Sequence, residues 1–149
     1  MNQPISSSIL AFLVQFSVLL PVSGQSANEV VGTWFNQEKD AKVQIYRQAD
    51  KFFGKIVWLK NSTSPGGKPR TDENNSDVAQ RNRPLIGLPL LRDFRHDRGN
   101  VWKEGTIYDP KNGKTYSCKM TLSNRNRLDL RGYIGTPLLG RTTTWTRTD

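Results

Sequence analysis

The sequence predicts an all-β domain of seven or eight antiparallel strands, and three observations carry that expectation. Short runs rich in Val, Ile, Thr, Tyr, Phe and Trp alternate with clusters of Gly, Pro, Asn and Asp from Gly32 onward. Several runs alternate apolar and polar residues with period two, as a half-buried strand must, because successive side chains point to opposite faces. No stretch of about 15 residues shows the apolar spacing of an amphipathic helix.

The elements follow in order. A first strand holds Gly32, Thr33 and Trp34. Residues 42–48 place Val43 and Ile45 on one face and Lys42, Gln44 and Tyr46 on the other, and Ala49, Asp50 and Lys51 then form a turn. Residues 52–60 are apolar on both faces, which predicts a strand covered on two sides. The polar stretch 61–76, with Pro65, Gly66 and Gly67 at its centre, is a long loop, and loops of this length in a small domain are usually functional or disordered. Within residues 85–91, Gly87 and Pro89 point to an edge strand or a lid rather than a central strand.

His96 lies in the charged stretch 93–99, read as a polar loop. Residues 102–109 and the run after Gly113 flank Pro110, Lys111 and Asn112, the pattern of a hairpin. In the second arm Tyr116, Cys118, Met120 and Leu122 share one face. After a turn at 124–126, Leu128 and Leu130 alternate with Arg127, Asp129 and Arg131, and a last strand spans about 141–147. A sheet of this size must fold into a sandwich or close into a barrel, since open edges invite aggregation.

Charge and hydropathy divide the chain. The first 24 residues carry no Lys, Arg, Asp or Glu, and residues 9–20 are almost wholly apolar. That run is shorter than the roughly 20 residues a membrane span requires and has the length of a signal-peptide core. Val22, Ser23 and Gly24 supply small residues for cleavage, so residues 1–24 are expected to be a signal peptide and 25–149 one domain, periplasmic or secreted. With no Cys at the junction there is no site for a lipid anchor. The domain carries all 22 Lys and Arg and all 13 Asp and Glu, a formal charge of +9. Such an excess favours anionic partners and equally serves solubility. The basic residues are scattered rather than gathered in a tail.

The inventory of chemical groups argues against an enzyme. Cys118 is the only cysteine and His96 the only histidine, so an intrachain disulfide, a thiolate zinc site and a dithiol centre are excluded. No cofactor and no metal is expected. Cys118, on an apolar face, reads as a buried inert thiol. Asp109 and Asn112 read as side-chain caps of a turn rather than calcium ligands.

Four separated motifs resemble a bacterial family: Arg83-Pro84-Leu85-Ile86-Gly87-Leu88-Pro89-Leu90; Gly105-Thr106-Ile107-Tyr108-Asp109-Pro110-Lys111-Asn112-Gly113-Lys114-Thr115-Tyr116; Arg131-Gly132-Tyr133-Ile134-Gly135; and Gly140-Arg141 with Trp145-Thr146-Arg147. The chain resembles the domain of unknown function 2147 (DUF2147) over residues 31–148. The resemblance implies a small exported protein with a lipocalin-like or calycin-like fold, which selects an up-and-down β-barrel over a sandwich. It implies no activity. By analogy with the Gly-x-Trp of lipocalins, Gly32, Trp34, Trp145 and Arg147 are assigned to closing the barrel bottom, with Arg141 or Arg147 over the Trp34 ring. Many relatives carry a cysteine pair near the positions held here by Gln48 and Phe53.

The candidate ligand residues are Arg81, Arg83, Arg131 and Arg141 with Tyr108, Tyr116 and Tyr133. Guanidinium and phenol groups at a barrel mouth could anchor a carboxylate or phosphate while the lumen takes an acyl chain. The functional expectation is therefore a non-enzymatic binder of a small amphipathic or anionic ligand. The alternative is a basic envelope module that binds anionic lipid, glycan or protein on its surface. Nucleic acid is disfavoured, because the aromatics follow strand alternation rather than a stacking platform.

Overall fold

The computed structural model of the protein describes residues 26–148. The expected signal peptide lies outside these residues. Eight strands run in chain order: β1 (Gly32–Phe35), β2 (Ala41–Gln48), β3 (Lys51–Leu59), β4 (Pro89–Arg98), β5 (Val101–Asp109), β6 (Lys114–Asn124), β7 (Arg127–Tyr133) and β8 (Arg141–Arg147). Each pairs antiparallel with its neighbours, and β1 also pairs with β8, so the sheet closes into an up-and-down barrel with no free edge. The fold is the all-β barrel that the alternation and the motifs predict. Three single 3₁₀ turns complete it, and among the described residues no helix is long and apolar enough to cross a membrane.

The turns at 49–50, 99–100 and 125–126 gather at one end, the bottom; the β1–β2 and β5–β6 turns, the long 60–88 segment and the β7–β8 connection gather at the other, the mouth.

The lumen is filled. Trp34, Val43, Leu91, Phe94, Trp102, Cys118, Met120 and Leu128 are fully buried in one apolar cluster, with Ile45, Phe52, Ile56, Leu122, Leu130 and Trp145 almost so. Two bulges make this packing possible. Leu91 and Phe94 oppose Gly54 and Phe52, so β4 holds an extra residue at Asp93, whose φ is 60°. In β5, Trp102 and Gly105 oppose Met120 and Cys118, with Glu104 at φ 64°. A bulge resets which face later side chains occupy. Gly105 then faces inward beneath the Phe94 ring, where any Cβ would overlap the ring.

Three expectations are corrected. β3 is covered on one face only: Phe53 stacks on Tyr46 with centroids 5.9 Å apart, and Val57 and Trp58 remain over one-third exposed. Lys42 lies 5.5 Å from the Trp58 ring and Lys55 lies 5.6 Å from Tyr46, so alkyl stems and ammonium groups shelter these aromatics from outside. Pro89 opens β4, which is paired on both sides rather than an edge; as the first residue its missing N–H costs little. His96 lies in β4 and not in a loop. Its Nε2 is 2.8 Å from the Gly99 carbonyl and its ring 5.1 Å from that of Trp102, while Asp97 pairs with Lys103. These contacts tighten the β4–β5 hairpin.

The bottom is shut by residues 26–31. Ser26 caps the 3₁₀ turn Ala27–Val30 in a reciprocal box with Glu29. The Trp34 indole N–H donates to the Val30 carbonyl at 3.0 Å, and that of Trp102 to Ala27 at 3.1 Å. Arg147 lies 4.2 Å over the Trp34 ring and donates to the carbonyls of Val31, Glu29 and Arg125. Gly32, at φ 143°, leaves the space its guanidinium occupies. Trp145, opposite Leu128, packs above.

Cys118 is fully buried, and desolvation pushes its thiol up to about 12. A thiol reagent at pH 8 is expected to leave the native protein unmodified and to react at the rate of unfolding, which a stopped-flow titration across denaturant measures.

Candidate functional site

Residues 60–88 form an ordered strap across the mouth. Thr63 bridges to Pro69 and Thr71 to Pro84; Asp72 N–H donates to Arg83 O, and Leu85 N–H to Arg70 O. Ile56 N–H donates to the Leu88 carbonyl and the Ile56 carbonyl accepts from Gly87 N–H, which brings Leu85 and Leu88 onto the core. Asn74 Nδ2 donates to the Pro110 and Lys111 carbonyls, tying the strap to the β5–β6 turn. The caps expected there are in place, with Asp109 accepting from Lys111 N–H and Asn112 from Lys114 N–H.

At the centre of the strap is Asp72, with no exposed surface. One carboxylate oxygen accepts from Arg83 Nε at 3.0 Å, Arg83 Nη2 at 2.9 Å and Asn75 Nδ2 at 2.7 Å; the other accepts from Tyr108 Oη at 2.6 Å. Desolvation favours the protonated acid, but the bonds from Tyr108, Asn75 and Arg83 outweigh it and hold the carboxyl below the usual range. Tyr108, desolvated and bonded to that carboxylate, is pushed up to about 12 and stays a donor. Arg81 Nε donates to the Asn75 carbonyl at 2.7 Å.

This network sits outside the barrel wall. The pairs Leu91–Ile107 and Ile107–Tyr116 face the lumen, so Leu90, Arg92, Thr106, Tyr108 and Thr115 face out. Between that outer wall and Asn75, Ser76, Gln80 and Arg83 lies a cleft of about 190 Å³. Leu90, nearly buried, forms an apolar floor. Arg83, about one-third exposed, and Arg92 bring cations to it. Among the described residues Arg92 makes no ion pair, while the charge of Asp72 is already met by Arg83.

The candidate ligand residues therefore fall into three groups. Arg81, Arg83 and Tyr108 converge on the Asp72 network. Tyr116 and Arg141 lie on the lumen face near the mouth, with Tyr116 Oη accepting from Asn112 and Arg141 exposed opposite Gly132. Arg131 and Tyr133 lie on the outer face of β7. No common mouth unites the seven. Asp72, Asn75 and Arg92 are absent from that candidate set: Asp72 and Asn75 lie in a stretch read only as a polar loop, and Arg92 belongs to a strand whose register the sequence leaves open.

The DUF2147 family, described as uncharacterized proteins conserved in bacteria, matches residues 32–147. The chain belongs to the DUF2147 family. A solved structure of protein HP1028 from Helicobacter pylori, described as belonging to the lipocalin family, superposes with a TM-score of 0.71 at 23% identity, covering 80% of this chain and 82% of that one. At that identity the likeness establishes the lipocalin-like fold. No curated protein matches the chain.

Proposed function

We propose that this DUF2147 protein is an exported, non-enzymatic binding protein whose ligand is a small anion, a carboxylate or phosphate ester, held in the cleft between the strap and the outer wall of β4–β6. The observation that carries this reading is Arg92, without an ion pair among the described residues, facing a cleft already bordered by Arg83. The side-chain-filled lumen moves the reading away from an acyl chain inside the barrel. A cleft of about 190 Å³ suits a compact molecule, and guanidinium groups recognise planar and tetrahedral oxyanions through paired donors. The charge-free leader at residues 1–24 supports export.

Isothermal titration with inorganic phosphate, glycerol phosphate and a series of short carboxylates tests this. One class is expected to bind, and Arg92→Gln to weaken it about tenfold, since a bond to a charged group contributes about 1.5–3 kcal/mol. Titrations that stay flat for every anion, or binding indifferent to Arg92→Gln, would remove the proposal.

A further inference from the structure

The connection between β7 and β8 exposes Ile134, Leu138 and Leu139 by 73, 88 and 84%. Scattered single apolar residues on a surface are ordinary, whereas three large aliphatic side chains on one short loop are a feature to be explained. The loop is held outward. Arg131, on the outer face of β7, donates to the Pro137 carbonyl, to the Leu138 carbonyl at 3.3 Å and to Thr142 Oγ1 at 2.9 Å. Pro137 opens the 3₁₀ turn Pro137–Leu139, which closes on Gly140 N–H. The two leucines thus stand at the tip of a braced turn.

The flanks of the tip are cationic. Arg131 lies in register with Lys119, and Arg141 stands exposed on the far side of the loop. Asp129, the acidic residue of β7, is already engaged by Arg127, Ser123 and Thr144 further down the barrel. Three aliphatic side chains fall far short of the roughly 800 Å² per partner that a stable protein interface buries. They match instead an interfacial anchor, in which aliphatic groups enter the acyl boundary while guanidinium groups meet lipid phosphates. We infer that the β7–β8 tip docks the barrel, mouth first, on an anionic lipid bilayer, inserting Ile134, Leu138 and Leu139 between headgroups.

Sedimentation of the purified protein with vesicles tests this. Binding is expected to phosphatidylglycerol/phosphatidylethanolamine vesicles and to be much weaker on phosphatidylcholine. The variant Ile134→Ser with Leu138→Ser and Leu139→Ser should lose on the order of 100-fold in partitioning with its thermal unfolding unchanged, because the three side chains are exposed. Arg141→Gln should cost about fivefold, on the anionic vesicles alone. Leu139→Cys carrying a polarity-sensitive dye, selective because Cys118 is buried, should shift its emission to the blue on vesicle addition. The inference is overturned if the triple-serine variant binds anionic vesicles as tightly as the parent, or if the label at 139 stays unshifted while the parent binds. It is equally overturned if the parent ignores vesicles and forms a dimer that the serine variant abolishes, since the tip then serves a second copy.

Discussion

Trp34→Ala is expected to cost about 4 kcal/mol of folding free energy, the largest effect of any single substitution considered for this barrel. Truncating a fully buried indole usually costs about 3–5 kcal/mol through lost transfer energy and the cavity left behind. Here it also strips Arg147 of the ring beneath its guanidinium, 4.2 Å away, and leaves the Val30 carbonyl without its 3.0 Å donor. A domain of this size has a total stability of only about 5–15 kcal/mol, so the variant sits near the unfolding threshold. In urea, with a slope near 2 kcal/mol per molar, the midpoint should fall by about 2 M. Arg147→Lys serves as the companion. A lysine keeps the charge but cannot hold the Val31, Glu29 and Arg125 carbonyls at once, so a loss of about 2 kcal/mol is expected. A Trp34→Ala midpoint within experimental error of the parent would show that the bottom closure contributes nothing.

The second large effect concerns the strap. Asp72→Ala removes a buried carboxylate that gathers Arg83, Tyr108 and Asn75, leaving a guanidinium and a phenol without their acceptor. Breaking such a pair typically costs about 3–5 kcal/mol in a fully buried setting, and the partial exposure of Arg83 brings the expectation to about 2–3 kcal/mol. The loss should be local. Hydrogen exchange is expected to rise at the amides of positions 72 and 85, which pair across the strap, and to stay low in β6 and β7.

Acid should reproduce the effect. Because the folded-state carboxyl of Asp72 lies below its ordinary value of 3.8, its ionised form stabilises the native state at every pH above about 4, and that contribution fades as pH falls through the folded-state value. Asp129 titrates in the same direction: burial raises its pKa, but bonds from Ser123 and Thr144 with the charge of Arg127 outweigh that and hold it below the ordinary value. In the parent, protection of the strap amides relative to their intrinsic exchange rates should therefore fall below about pH 4, while in Asp72→Ala it should already be low at neutral pH. Equal exchange in the two proteins at neutral pH would mean that the strap is held by its backbone bridges alone.

The sequence by itself determined every strand but β4, whose second half reads locally as a polar loop. In β6 and β7 alternation reports the face of each side chain, so Cys118, Met120, Leu122, Leu128 and Leu130 are legible as core. Arg131 and Tyr133, assigned from the sequence to a ligand at the mouth, continue the parity opposite Leu128 and Leu130 and so lie on the outer face. The filled lumen and the location of the cleft were decided only by the tertiary structure. A bulge costs one residue and no recognisable motif: Asp93 lets Leu91 and Phe94 both turn inward, and Glu104 reverses the parity between Trp102 and Tyr108, sending the tyrosine to the outer wall. The strap was beyond local reading for a related reason. Its specificity lies in bonds such as Tyr108 to Asp72 and Asn74 to Pro110, which join segments far apart in the chain and leave no periodicity behind. Local alternation encodes which face of a strand is apolar; which distant polar groups meet a buried carboxylate depends on where the closed barrel places them.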